Sequence, residues 1–276
     1  MNTLTEAPTP FRAPPVAPAR PLVSLRGVGK VFSNGTVALH NMSLDVGPGE
    51  FVSLLGPSGC GKSTALRIIA GLGEATGGSV EWPAADYDAE GRPKPEIGFV
   101  FQDPTLMPWA TVFSNVWLPF RLKGVSKRAA RDEVMQALAM VGLDGVADSY
   151  PRELSGGMKM RVSIARALIT RPKLLLMDEP FAALDEITRF KLNNDLLHLW
   201  EAFGWTVIFV THSVFESVYL SQRIVVMAAR PGRVFTDLAV DAPYPRGEEF
   251  RTSTIYNDNC RKVSDALHQA MGVSER

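Results

Sequence analysis

The 276 residues predict an α/β protein with a mostly parallel sheet covered on both faces, an antiparallel β subdomain ahead of it and a helical subdomain inserted into it. Three observations carry this expectation. The apolar runs FVSLL (51 to 55), LLLM (174 to 177) and TVIFV (206 to 210) alternate with helical patterns, as strands buried between crossover helices do. The shorter runs LVSLRGVGKVF and SLDV, punctuated by SNG and GPG, precede them and read as antiparallel strands. Between 103 and 150 the pattern changes to helical periodicity.

Residues 1 to 21, MNTLTEAPTPFRAPPVAPARP, repeat Pro and Ala in a way that disfavours both a helix and a signal-peptide core, and read as a disordered, partly polyproline tail. From Leu22 the antiparallel strands lead into FVSLL, which runs into the glycine loop GPSGCGKST (56 to 64) and then a helix ending at Gly71. Residues 72 to 95 read as a surface excursion, and IGFVF (97 to 101) as the next strand. SKRAARDEVMQALAMVGL predicts a helix with Val134, Leu138 and Val141 on one face and Gly142 as its C-cap. There follow a helix over 155 to 170, the strand LLLM, a helix over 188 to 203 ending at Gly204, TVIFV, and the strand RIVVM. The resulting division is a domain over 22 to 240, with a helical subdomain at about 103 to 160, and an extension over 241 to 276. That extension reads as peripheral, with an amphipathic helix carrying Ile255, Val263, Leu267 and Met271.

Lys plus Arg and Asp plus Glu both number 29, so no global field favours nucleic acid or an anionic membrane surface. Two cysteines, Cys60 and Cys260, are too few for a disulfide framework and fit a reducing compartment. The longest apolar runs fall far short of the ~20 residues that span hydrocarbon.

GPSGCGKS matches G-x-x-x-x-G-K-[ST], the loop of a P-loop NTPase core. Its glycines let the backbone of Gly56, Pro57, Ser58, Gly59, Cys60 and Gly61 curl so that N–H groups face phosphate oxygens at a helix N-terminus. Lys62 adds a charge at the β/γ oxygens, Ser63 offers a hydroxyl to Mg²⁺, and Thr64 is placed for the α-phosphate. In LLLMDEP, Asp178 and Glu179 end a buried strand, where open parallel sheets bind their ligands. Asp178 suits Mg²⁺, directly or through water, and Glu179 suits the water that attacks the γ-phosphate. The acids could instead cap the next helix. A second Ser-Gly-Gly turn, in LSGGMKMR (154 to 161), opens a helix without a lysine or metal ligand of its own, so it suits a phosphate ordered by another surface; an ordinary capped helix is the alternative.

GPSGCGKST, LSGGM, LLLMDEP, FAALD and VTH, in that order, resemble the nucleotide-binding subunit of an ABC transporter over roughly residues 22 to 235, which implies the ABC ATPase fold. In that family two cassettes close head to tail, so the resemblance implies a homodimer in which Ser155, Gly156 and Gly157 of one copy serve the ATP held by the other. It implies that Phe32 stacks on adenine, although a strand-end aromatic can also be core. It implies that Gln102 touches Mg²⁺ and the attacking water, that Asp185 links the two sites, and that His212 faces the γ-phosphate beside Glu179. Catalysis thus falls to Glu179, His212 and Lys62, and metal binding to Ser63, Gln102 and Asp178. Met158, Met160, Ala182 and Ser213 depart from common family residues at their positions without removing a proposed catalytic group.

A cassette without spans implies separate permease subunits and, indirectly, a periplasmic solute-binding protein, with the chain peripheral on the cytoplasmic face of the inner membrane. LSGGM, PFAALD, MPW and ARPGRV are similar to the nitrate, sulfonate and taurine importer branch. Leu106, Met107, Pro108, Trp109 and Val112 could form either subdomain core or the groove for a permease helix. A soluble ABC-type ATPase acting on DNA or ribosomes would show a coiled-coil insertion or tandem cassettes, and a non-hydrolysing scaffold would not retain Lys62, Glu179 and His212. No nucleic-acid partner is expected.

Overall fold

A computed structural model describes residues 20–90 and 93–274. The proline- and alanine-rich segment read as a tail lies outside these except for Arg20 and Pro21.

The chain opens with β1 (Val23–Val31) and β2 (Val37–Val46), an antiparallel pair. Next come β3 (Phe51–Leu55), the glycine loop and α1 (Lys62–Ile69). The segment expected to be a surface excursion is more ordered than its composition suggested. It contains β4 (Gly77–Glu81), which completes a three-stranded sheet on β1, and a small hairpin of β5 (Asp86–Tyr87) and β6 (Pro93–Lys94). Trp82 of this region is buried, so the excursion is anchored by one large side chain.

After β7 (Ile97–Val100) the helical subdomain contains α2 (Val112–Leu122) and α3 (Arg131–Met140). Val134, Leu138 and Val141 face its core as their spacing predicted. The sequence reading missed α2, whose interior holds Pro119 and whose start is capped by Thr111, with Oγ1 accepting from Ser114 N at 3.2 Å.

There follow α4 (Gly156–Leu168), β8 (Leu174–Asp178), α5 (Glu186–Phe203), β9 (Thr206–Thr211), α6 (Val214–Leu220), β10 (Arg223–Ala228), β11 (Arg233–Ala239) and α7 (Thr254–Ser274). The main sheet runs β11-β10-β3-β9-β8-β7, parallel apart from the antiparallel edge strand β11.

Alternate residues of its central strands enter two different cores. Phe51, Leu55, Leu175, Met177, Val207 and Phe209 join the helical side, while Val52, Leu54, Leu174, Leu176, Ile208 and Val210 pack against α1 and the antiparallel sheet. A strand whose successive side chains point to opposite apolar layers has to be apolar throughout. That is the physical source of FVSLL and TVIFV.

The register decides where the chemistry collects. Leu55 pairs with Thr211, and Asp178 with Val210, so the glycine loop, His212 and Glu179 all leave the sheet at one carboxyl edge. Val100 pairs with Met177, which carries Gln102 to the same edge.

The carboxyl-terminal segment corrects an expectation. It is not peripheral: Tyr256, Cys260, Val263, Ala266 and Ala270 of α7 belong to the core that also contains β10. Of the four residues assigned to the apolar face, Val263 is buried and Leu267 packs at the margin, but Ile255 and Met271 are exposed. The buried stripe uses small residues, which let a helix approach closely and which an eye drawn to large apolar side chains passes over.

Candidate functional site

The glycine loop turns into α1 at Gly61, whose φ is 88°. A Cβ there would lie 2.7 Å from Ala38 O and 2.6 Å from Leu39 Cδ2, so both backbone sign and space demand glycine. Lys62 is almost wholly buried, and its Nζ donates to Gly56 O at 2.8 Å and Pro57 O at 3.0 Å, bracing the loop across its own curl. Beneath it Cys60 is buried, and burial pushes its thiol pKa up, so this cysteine is packing rather than a thiolate.

The loop forms one wall of a groove of about 480 Å³. Ser58, Gly59, Ser63 and Thr64 line it, with Val37 and Ala38 opposite and Phe32 at its mouth. Phe32 is 45 % exposed, which removes it from the core, and the Lys30 ammonium lies 5.6 Å from its ring centroid. Arg230, from the turn after β10, also lines the groove and was not singled out from the sequence.

At the sheet edge Asp178 is 6 % exposed and accepts from Ser63 Oγ at 2.7 Å. Burial raises its carboxyl pKa, against the lowering effect of the Ser63 hydrogen bond. The next residue, Glu179, has φ 46°, a left-handed conformation that a non-glycine residue adopts only under constraint. Its N–H is fastened to Val210 O at 3.1 Å, and the turn aims its side chain into the groove. Glu179 Oε1 lies 3.8 Å from Lys62 Nζ, and its Oε2 lies 3.3 Å from His212 Nδ1. The structure thus brings Lys62, Ser63, Asp178, Glu179 and His212 together.

The paired Ser63 hydroxyl and Asp178 carboxylate fit a hard cation. Among the described residues no cluster of three or more His, Cys, Asp or Glu could enclose a metal. Few protein oxygens suit Mg²⁺, which keeps several waters and takes phosphate oxygens as ligands.

Ser155 and its glycines stand elsewhere. Ser155 caps α4, with Oγ accepting from Met158 N at 3.3 Å, and Gly157 is pressed under α5, where a Cβ would meet Thr188 Cγ2 at 2.6 Å. Asp185 caps α5 by accepting from Thr188 N at 2.9 Å, and that hydrogen bond holds its carboxyl below the ordinary range. None of Ser155, Gly156, Gly157, Asp185 and Gln102 lines the groove that contains Lys62. After Gln102, Trp109 is 77 % exposed, while Leu106 packs against the core, so this stretch is partly core and partly free surface.

Two residues the sequence reading passed over sit behind the site. Arg189 of α5 and Glu216 of α6 border a small cavity with Glu179 and His212. A spacing of four from Asp185 and from His212 was the available signal, but their meeting requires two helices to pack.

The family profile described as ABC transporter matches residues 39–182. An uncharacterized ABC transporter ATP-binding protein of Methanocaldococcus jannaschii is 45 % identical over 248 residues, 89 % of this chain and 91 % of that one. The aliphatic sulfonates import ATP-binding protein of Bacillus cereus is 44 % identical over 245 residues, 87 % of this chain and 94 % of the relative. A dimeric ATP-binding cassette in a post-hydrolysis state bound to ADP and Pi superposes with a TM-score of 0.69 at 36 % identity, covering 80 % of this chain and 99 % of that one. With the phosphate loop, the acid pair and the Ser-Gly-Gly helix all in place on this fold, the chain belongs to the ABC transporter family as one of its ATP-binding subunits.

Proposed function

We propose that the chain binds ATP with Mg²⁺ in the groove of its phosphate loop, hydrolyses it as a head-to-tail homodimer, and thereby energises an importer whose permease is a separate protein. The observation that carries this reading is the convergence of Lys62, Glu179 and His212 within 3.8 Å steps beside the Ser63–Asp178 pair.

The loop amides and Lys62 hold the β/γ oxygens, and Phe32 offers its exposed face to the adenine. Ser63, Asp178 and Gln102 would hold Mg²⁺, which would neutralise developing charge on the phosphates. Glu179 orients a water in line with the γ-phosphorus and takes its proton, so water and ATP become phosphate and ADP. With Nδ1 turned to Glu179, His212 keeps Nε2 for the γ-phosphate. Lys62 presently donates to Gly56 O and Pro57 O, and it exchanges one of these carbonyls for a phosphate oxygen on binding.

Ser155, Gly156 and Gly157 lie off this groove and would complete the site of a second copy by offering helix N–H groups to its γ-phosphate, while Gln102 would serve the attacking water of its own copy's site. The dimeric state of the solved cassette supports this arrangement. The identity to a protein named for aliphatic sulfonate import supports a small organic anion such as a sulfonate as cargo, delivered by a periplasmic binding protein to permease subunits at the cytoplasmic face of the inner membrane. Trp109 and its neighbours offer those subunits an exposed aromatic.

Glu179→Gln tests the reading. It keeps the shape but not the base, so hydrolysis should fall by at least ~10²-fold while saturating ATP yields a stable dimer by size-exclusion chromatography. A monomeric variant that still hydrolyses ATP would overturn the assignment.

A further inference from the structure

The segment Leu184–Asp185 is joined to the catalytic histidine by a continuous set of side chains that the reading above does not use. Arg189 Nη2 donates to Leu184 O at 2.8 Å. Leu184 also abuts the Ser-Gly-Gly turn, since a Cβ on Gly156 would lie 3.2 Å from its Cδ2. On its other side the Arg189 guanidinium faces Glu216, with Nε 3.9 Å from Oε1. The second oxygen of Glu216 accepts from Thr211 Oγ1 at 2.5 Å, and Thr211 Oγ1 in turn accepts from Ser213 N at 3.0 Å. Ser213 Oγ accepts from Glu216 N at 3.3 Å. Both neighbours of His212 are therefore pinned by Glu216, and His212 Nδ1 is 3.3 Å from Glu179 Oε2.

One link in this set is slack. Arg189 Nε and Glu216 Oε1 are both buried atoms without a hydrogen-bond partner. Their separation is about 1 Å longer than the ~2.7–2.9 Å of a charge-assisted hydrogen bond. A cavity of about 10 Å³, bordered by Arg189, Glu216, Thr211, His212 and Glu179, lies beside this link. Opposite charges left apart beside a small void describe a contact with a tighter alternative state.

We propose that Arg189 and Glu216 are positioning residues: movement of Leu184–Asp185 closes their ion pair, and Glu216 then sets His212 against Glu179. The assignment rests on the catalytic roles given above to Glu179 and His212, and adds to them a means by which the surface beside the Ser-Gly-Gly turn governs the attack. Neither Arg189 nor Glu216 lines the groove assigned to the nucleotide. Their effect is on the rate at saturation, not on ATP capture.

Steady-state ATPase of the full chain tests this with Arg189→Ala, Arg189→Lys, Glu216→Gln and the double variant Arg189→Ala/Glu216→Gln. Each of the Ala and Gln single variants should lower kcat about tenfold with KM for ATP within about twofold, and the double variant should be no slower than either single, because both break one linkage. Arg189→Lys keeps a charge opposite Glu216 and should recover part of the rate. Unchanged kcat in both singles, losses that multiply to about a hundredfold in the double, or a parallel rise of KM would overturn the proposal. Glu216→Gln keeps the volume and the acceptor for Thr211, so it reports even if Arg189→Ala melts early. If wild type fails to hydrolyse ATP, or Glu179→Gln hydrolyses as fast as wild type, the reading of the site fails. If those two behave as expected and the Arg189 and Glu216 variants match wild type, the linkage alone fails.

Discussion

Asp178 stands at the end of β8 with almost no solvent contact, and burial lifts its carboxyl pKa from the ordinary value of 3.8 even though Ser63 donates to it. The folded chain therefore binds that proton more tightly than the unfolded chain. Stability falls as pH rises from 3.8 through the raised folded value, and the cost persists at every higher pH. The divalent cation proposed beside the carboxylate would offset this cost. Asp178→Asn keeps an acceptor for Ser63 without the charge. It should raise the Tm of the nucleotide-free chain, by about 2–4 °C for each kcal/mol relieved, and this gain should shrink in acid where Asp178 is protonated anyway. The same variant should lose Mg²⁺-dependent hydrolysis, so calorimetry and ATPase should move in opposite directions. The identities of Asp178, Glu179 and Lys62 were legible in the sequence because each sits in a short motif at a strand end. Arg230, Arg189 and Glu216 were not, because nothing local reveals that the β10–β11 turn lines the groove or that α5 and α6 bring an arginine to a glutamate.

The buried strands announced themselves because both of their faces are apolar, and α3 and α5 announced themselves by period and by glycines at their ends. The elements that escaped carry weaker patterns. β4 is half glycine-rich and open to solvent, and β11 is an edge strand whose residues are mostly half-exposed. α6 is a short helix fixed by partners distant in sequence. Arg246, from the loop before α7, is 1 % exposed and donates to Val218 O, Tyr219 O, Ser221 O and Ala242 O at 2.9 to 3.1 Å. The first three of these acceptors are carbonyls at the end of α6, the helix that begins two residues after His212, and at its C-cap. Burial lowers the Arg246 pKa, a sign of how much solvation those carbonyls must replace. Arg246→Ala leaves the carbonyls unpaired around a void and should cost about 3 kcal/mol or more, read as a lower urea midpoint. Because α6 carries Glu216 and is capped by Ser213, hydrolysis should decline along with stability.

For the molecule as a whole, Lys plus Arg and Asp plus Glu both number 29, and among the described residues no helix is long and apolar enough to cross a membrane. Trp109 is 77 % exposed beyond the edge of the sheet. Truncating it should leave fluorescent-ATP binding by the isolated chain within about twofold of wild type, while pull-down of the proposed permease partner falls at least ~10-fold, as loss of an aromatic anchor predicts. Equal pull-down would remove the surface after Gln102 from the docking site.

Ser155 and Lys62 belong to different surfaces of one chain, and in the proposed homodimer each works only against the other copy. A single codon change in either motif therefore strikes both composite sites in one event. Evolution cannot degrade one and spare its twin without first duplicating the gene, and any alternation between the two in turnover has to come from what each site has bound, not from a difference in sequence.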